Sequence, residues 1–202
     1  MSDSLTFEAG LGSPALHEAP VGLIQRCLEG EEQAYLAVYN QYGAMIYRLC
    51  HSLLGHEQDA EEVLQDTFEY AFRKLAQFDA RRASFKTWLY QIAISRCRNK
   101  RRRKWLPTLP LGQLRDQDLP DHRAVMPDDA ALHSERQAAV WQALGRLSAK
   151  LREVAVLRYY EELTYAEIGA ILSIPAKTAE SRMRLAHAQL KKHLADDQRW
   201  TG

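Results

Sequence analysis

Three observations in the 202-residue chain predict an all-α fold of two small helical domains joined by a flexible linker. Apolar residues recur at spacings of three and four along most of the sequence. No segment alternates like a strand, and one proline-rich stretch divides the helical patterns into two blocks.

Residues 1–20 mix Gly, Pro, Ser and acids without periodicity and read as a disordered N-terminal extension. Residues 21–105 form the first block. Val21–Leu28, Glu31–Leu54, Gln58–Phe78 and Ser84–Trp105 carry helical spacing, with breaks at "LLGH" (Leu53–His56) and "FDARRA" (Phe78–Ala83). Residues 106–130 change in texture. Leu106–Asp129 holds four of the seven prolines and five aspartates, a composition that suits a linker rather than a helix of any length. Residues 131–195 form the second block, broken near Leu147–Ser148, Leu163–Thr164 and Ser173–Pro175.

The net charge of +1 conceals a polarised chain. Residues 1–32 hold six acids and one base, whereas Arg96–Lys104 hold seven bases and no acid. The three cysteines, Cys27, Cys50 and Cys97, are widely spaced and form no CxxC pair, which predicts free thiols in a reducing compartment. His51 and His56 lie near Cys50, but no second ligand pair follows at zinc-finger spacing, so neither metal nor cofactor is expected. The start "MSDSLTFEAG" lacks the pattern of a signal peptide, and no apolar run is long enough to cross a bilayer. A cytoplasmic protein without membrane insertion is expected.

In the second block, Thr164 and Glu167 make a capping box that starts a helix with the apolar stripe Tyr165, Ile168, Ile171 and Leu172. Ser173 and Pro175 stop it, and Pro175 suits the first turn of the next helix. A short helix, a tight turn and a longer basic helix make a helix-turn-helix. At 100° per residue, Ala179, Met183, Ala186, Leu190 and Leu194 take the core face of that last helix. Lys177, Ser181, Arg184, Leu185 and Ala188 face outward, Glu180 sits on one shoulder and Thr178 on the other. The outward face suits a DNA major groove, although a solvated face on a helical hairpin has the same pattern. Glu180 has two readings: it orients Arg184 at i+4, or it accepts a hydrogen bond from a cytosine amino group.

In the first block, "QDAEEVLQDTFEYAFRKLAQF" is amphipathic. Val63, Leu64, Phe68, Ala71, Leu75 and Phe78 can face a core, while Asp59, Glu61, Glu62, Asp66 and Glu69 crowd the remainder. Helix-dipole complementarity accounts for Asp59–Glu62. It does not reach Asp66 and Glu69, which suit a basic protein partner. The following "FDARRASFKTWLYQIAISRCRNKRRRKW" interleaves aromatic and basic residues, as single-stranded DNA binding requires. Phe85, Trp88, Leu89 and Ile92 have core spacing, which leaves Arg81, Arg82, Tyr90 and Arg98 for DNA. "RCRNKRRRK" is too dense in charge for helix-terminus electrostatics alone and points to phosphate.

The order of these segments resembles that of bacterial extracytoplasmic-function (ECF) sigma factors of the sigma-70 family. "DAEEVLQDTFEYAFRKLAQFD" with "FKTWLYQIAISRCRNKRRR" is similar to the family's region two. "LREVAVLRYYEELTYAEIGAILSIPAKTAESRMRLA" is similar to region four. The resemblance implies an all-α protein with no chemistry of its own, a specificity subunit of RNA polymerase. Asp59, Glu61, Glu62, Gln65, Asp66 and Glu69 would dock on the β′ clamp helices. Arg81, Arg82, Tyr90, Ser95, Arg98, Lys100, Arg101 and Arg102 would read and hold the minus-ten element as a single strand. Region four would hold the β flap and read the minus-thirty-five element with Lys177, Thr178, Glu180, Ser181, Arg182 and Arg184. The linker would thread toward the active-site cleft, and an anti-sigma factor would cover the two domains.

The chain departs from the family pattern in places. Ser95 stands where the family often has Asn, with shorter reach into a base pocket. Glu180 replaces a usual base, Leu185 replaces a frequent Arg, and the N-terminal extension is longer than usual. Two other classes remain as alternatives from the residues alone. One is a helix-turn-helix regulator acting without polymerase. The other is a protein-interaction adaptor that keeps the fold without promoter recognition, which Glu180 favours.

Overall fold

The structure is a computed structural model that describes residues 21–105 and 135–195. Among these residues, eight α-helices run in the order α1 (Val21–Leu28), α2 (Glu32–Leu54), α3 (Glu57–Arg73), α4 (Phe85–Trp105), α5 (Glu135–Gly145), α6 (Ala149–Tyr159), α7 (Tyr165–Leu172) and α8 (Ala176–Ala195). A single 3-10 turn at Leu75–Gln77 follows α3, and no strand occurs among the described residues. The all-α expectation holds. The expected N-terminal extension (1–20) and linker (106–130) lie outside the described residues.

Local chemistry sets the helix ends. Gly55 closes α2 in the left-handed region at φ 66°, its N–H donating to His51 O at 2.8 Å, where the sequence breaks at "LLGH". Ser84 opens α4, its Oγ accepting from Thr87 N at 3.1 Å. The capping box of α7 forms in both directions: Thr164 Oγ1 accepts from Glu167 N, and Glu167 accepts from Thr164 N at 2.8 Å. Ser173 then takes φ 56°, and Ile174 N donates to Gly169 O at 3.0 Å, closing the turn into α8.

The first unit packs α2, α3 and α4 around Val38, Ile46, Leu49, Val63, Phe68 and Leu89, all 3% exposed or less. Aromatic rings seal the loop onto α4, with Phe78–Phe85 and Phe78–Trp88 centroids each 5.3 Å apart. The second unit packs α7 and α8 on α6, whose residues Leu151–Leu157 are all buried. Ala179, Met183 and Ala186 of α8 are buried as the helical wheel requires, with Leu190 packed at the edge.

The two units also pack on each other, α2 against α6 and α4 against α7, and one buried apolar cluster runs through both. Arg152, 4% exposed, fastens this seam. Its guanidinium donates to Leu144 O (2.9 Å), Gly145 O (2.6 Å) and Leu147 O (3.2 Å) at the α5–α6 turn. It also reaches Leu53 O (3.3 Å) at the end of α2. A planar cation with five N–H donors can satisfy four carbonyls at one buried point.

Candidate nucleic-acid interface

The loop before α4 presents Arg81 and Arg82 to solvent, their side chains 91% and 87% exposed. Asp79 shapes it. Its carboxylate accepts from Arg81 N at 3.0 Å and Arg81 Nε at 3.1 Å. The Arg81 side chain and backbone N–H hold the Asp79 carboxyl below its ordinary range. Both arginines are therefore displayed on a short, self-braced loop.

On α4, Ser95 and Arg102 are exposed. Arg102 Nη2 donates to Asn99 Oδ1 at 3.2 Å. Lys100 turns to α3, pairing with Glu62 and lying 3.4 Å from Asp59. Burial opposes it, but these two carboxylates raise the Lys100 ammonium above its ordinary value. One expected DNA cation thus pairs with two acids expected to face the polymerase.

The expectation that Tyr90 and Arg98 stand free on α4 needs correction. Tyr90 is 1% exposed, and its hydroxyl donates to the carboxylate of Glu161, beyond the end of α6. Lys86 Nζ lies 5.3 Å from its ring centroid. Burial, reinforced by the adjacent Glu161 charge, pushes the Tyr90 hydroxyl far above its ordinary value. Burial likewise raises the Glu161 carboxyl, against the Tyr90 hydroxyl and the cations Lys86 and Arg48. Arg98 is half-exposed but held by Glu153 of α6: Nε–Oε1 is 3.0 Å and Nη2–Oε2 2.7 Å. Arg101 Nη2 lies 3.3 Å from the same carboxylate. A helical wheel gives the direction of these side chains, and the second unit supplies what covers them.

Glu153, Glu161 and Arg152 were missed in the sequence. For Arg152 and Glu153 the signal was their place inside "LREVAVL", where a run that is otherwise apolar must set its charges against internal partners; Glu161, beyond α6, carried no such signal.

Apart from Asp59 and Glu62, which meet Lys100, the α3 acids point elsewhere. Glu61, Glu62, Gln65 and Glu69 are exposed and Asp66 half-buried, while Asp59 is 8% exposed. Glu69 pairs loosely with Arg73 at 3.6 Å. Along α8, Lys177, Glu180, Arg184 and Leu185 are exposed, and Thr178, Ser181 and Arg182 half-buried. Ser181 Oγ donates to Lys177 O at 2.9 Å. Glu180 makes no ion pair with Arg184 among the described residues, so the reading of Glu180 as the orienting partner of Arg184 is not supported.

All three cysteines are free and buried. Among the described residues there is no group of three His, Cys, Asp or Glu side chains placed to hold a metal, and no helix long and apolar enough to cross a membrane.

A helical domain carrying an acidic helix and a basic-aromatic helix, followed by a helix-turn-helix, defines a sigma-70-type factor. The family model described as Sigma-70 region 2 matches residues 38–106, and that of Sigma-70, region 4 matches residues 143–192. The ECF RNA polymerase sigma factor SigW of Bacillus subtilis is 34% identical over 181 residues, covering 86% of this chain and 95% of SigW. Among solved structures, CnrH (Cupriavidus metallidurans) in complex with the cytosolic domain of CnrY is similar with a TM-score of 0.63 at 26% identity, covering 87% of this chain and 97% of CnrH. The sigma factor RpoE of Bartonella quintana, in complex with the anti-sigma factor NepR, shares the fold with a TM-score of 0.62 at 22% identity, covering 81% of this chain and 98% of RpoE. The chain belongs to the ECF RNA polymerase sigma factors.

Proposed function

We propose that this chain directs core RNA polymerase to its promoters by dividing the work among three faces. The polar face of α3, with the exposed Glu61, Gln65 and Glu69 and the half-buried Asp66, docks on the β′ clamp helices. The loop Arg81–Arg82 and the basic length of α4, with Ser95, Arg98 and Lys100–Arg102, hold the minus-ten element as a single strand. The α8 face, with Lys177, Thr178, Glu180, Ser181, Arg182 and Arg184, reads the minus-thirty-five duplex, while region four engages the β flap. The observation that carries this reading is the coexistence of an acidic helix, a basic-aromatic helix and a helix-turn-helix in one chain. A duplex-binding regulator needs only the last of these.

The chain performs no chemistry on a substrate in this reading, and it works in the cytoplasm, where polymerase is. An anti-sigma partner is extended to it from the fold-level neighbour RpoE, which is described with NepR. Run-off transcription on a promoter library, with core polymerase alone and with this chain added, tests the assignment. Promoter-specific transcripts that depend on the chain are expected. Core binding without such transcripts would leave an adaptor, and duplex binding without core binding a regulator.

A further inference from the structure

The cations of α4 leave the helix on two sides. Arg98 and Arg101 turn to Glu153 of α6. At 100° per residue, Arg96 lies about 160° around the helix from Arg98, on the side of α3. Lys100 on that side is taken by Glu62 and Asp59. The Arg96 guanidinium has neither an ion pair nor a hydrogen-bond acceptor among the described residues. It lies instead over the ring of Tyr70 on α3, its central carbon 4.4 Å from the ring centroid. Arg73, three positions along α3 from Tyr70, brings its guanidinium carbon to 5.7 Å from the same centroid and pairs loosely with Glu69.

Exposed Ser95 directly precedes Arg96, and Asn99, which accepts from Arg102, follows about one turn on. These four side chains leave α4 within about 120° of one another, a polar stripe beside α3. We propose that Arg96 contacts a phosphate of the minus-ten strand and that Tyr70 is its positioning residue, which carries the strand's track onto the seam between α3 and α4. The proposal rests on the minus-ten assignment made above and extends it to a cation held by a ring instead of by an acid.

The kind of brace decides what the cation can do. A long side chain loses rotamer freedom when it binds, and one already held on a ring has less to lose. A carboxylate would hold Arg96 as firmly, but a phosphate would have to displace it, and its own charge would then repel the strand. A neutral ring attracts the guanidinium through its face and leaves the N–H donors for an incoming anion. Two cations share this ring and only Glu69 pairs with either of them, so positive charge is in surplus at the seam. A phosphate that accepts two parallel N–H bonds from Arg96 supplies the missing anion.

The test titrates the full chain, assembled with core polymerase, with a fluorescent single-stranded DNA carrying the selected minus-ten sequence, across a salt series. Arg96→Ala should weaken binding on the order of tenfold and lower the slope of log affinity against log salt by about 0.7, the value of one phosphate contact on a single strand. Tyr70→Leu should weaken binding about threefold with the slope kept, since the charge remains and only its brace is lost. Tyr70→Phe, which keeps the ring, should recover most of that loss. In the Arg96→Ala background Tyr70→Leu should cost nothing further, whereas a residue serving only the fold would cost the same in both backgrounds. Arg96→Lys probes the brace without touching Tyr70: the slope should stay and the affinity fall, because an ammonium lacks the planar fork. An unchanged slope in Arg96→Ala overturns the phosphate contact. Additive losses in the double variant, or an Arg96→Lys affinity equal to that of the natural sequence, overturn the positioning. If the natural sequence with core polymerase binds the minus-ten strand no better than a scrambled one, the minus-ten assignment itself fails, which is a different result.

Discussion

Arg98 on α4 and Glu153 on α6, 55 positions apart in the sequence, form a two-point pair with Nη2 2.7 Å from Oε2. Glu153 is 2% exposed, so the pair sits where one unit of the chain closes on the other. Its sequence neighbour Arg152 points away from α4 and ties the α5–α6 turn to α2. Two adjacent charges in one buried helix thus hold two different partners.

Arg152→Ala should be among the most destabilising single changes. It strips donors from four carbonyls that a buried side chain serves. A loss of about 3 kcal/mol or more is expected in urea unfolding. Arg152→Lys should recover only part of it, because an ammonium cannot span the set.

Gly169→Ala should disturb the helix-turn-helix selectively. A Cβ at this position would lie 2.7 Å from Ile174 O and 3.2 Å from Ala176 N, both backbone atoms of the turn. A cost of about 1–3 kcal/mol is expected. Minus-thirty-five duplex affinity should fall while core polymerase still binds. A fully retained duplex affinity would show that the turn can shift without moving the α8 face.

Thr164→Ala should cost about 1 kcal/mol through loss of the α7 cap, and the cost should depend on pH. The Thr164 hydroxyl and backbone N–H lower the Glu167 carboxyl from its ordinary value of 4.5. A carboxylate held down in the folded state contributes its full stability above pH 4.5 and loses it as pH falls through the lower folded value. The stability difference between Thr164→Ala and the natural sequence should therefore narrow in acid and widen above that range.

Glu180→Lys should alter which base is preferred at one position of the minus-thirty-five element. Glu180 is exposed on the α8 shoulder and is not paired with Arg184. A carboxylate accepting from a cytosine amino group is worth roughly 1–3 kcal/mol of discrimination. Binding to a panel of single-base variants reads it, and a uniform gain across the panel would instead mark a general electrostatic effect. Arg184→Ala should lower affinity across all sequences and reduce the salt slope by about one.

Asp66→Arg should weaken binding to core polymerase at least tenfold, a loss of about 1.4 kcal/mol or more, while leaving the melting temperature near that of the natural sequence. Asp66 is half-buried on α3, beyond the turn where the helix dipole favours an acid. Titration of labelled protein with core polymerase measures it, and an unchanged affinity refutes the docking face.

The helices were legible in the sequence because their causes are local. Spacing of three and four put Val63, Phe68 and Ala71 on one face of α3, and Ala179, Met183 and Ala186 on one face of α8. The Thr164–Glu167 box, Gly55 and the Ser173–Pro175 break were equally visible, since a cap or turn involves residues within a few positions of each other. The order of an acidic helix, a basic-aromatic helix and a helix-turn-helix was enough to point to the family. What only the tertiary structure decided is the fate of Tyr90, Arg98 and Arg101. Their buried or paired state depends on Glu153 and Glu161, which approach from the other unit across 52 to 71 residues of sequence. Periodicity fixes which way a side chain leaves its own helix. It carries no information about a second surface that closes over it, because that surface is chosen by the packing of distant helices and by the desolvated charges that must find partners there.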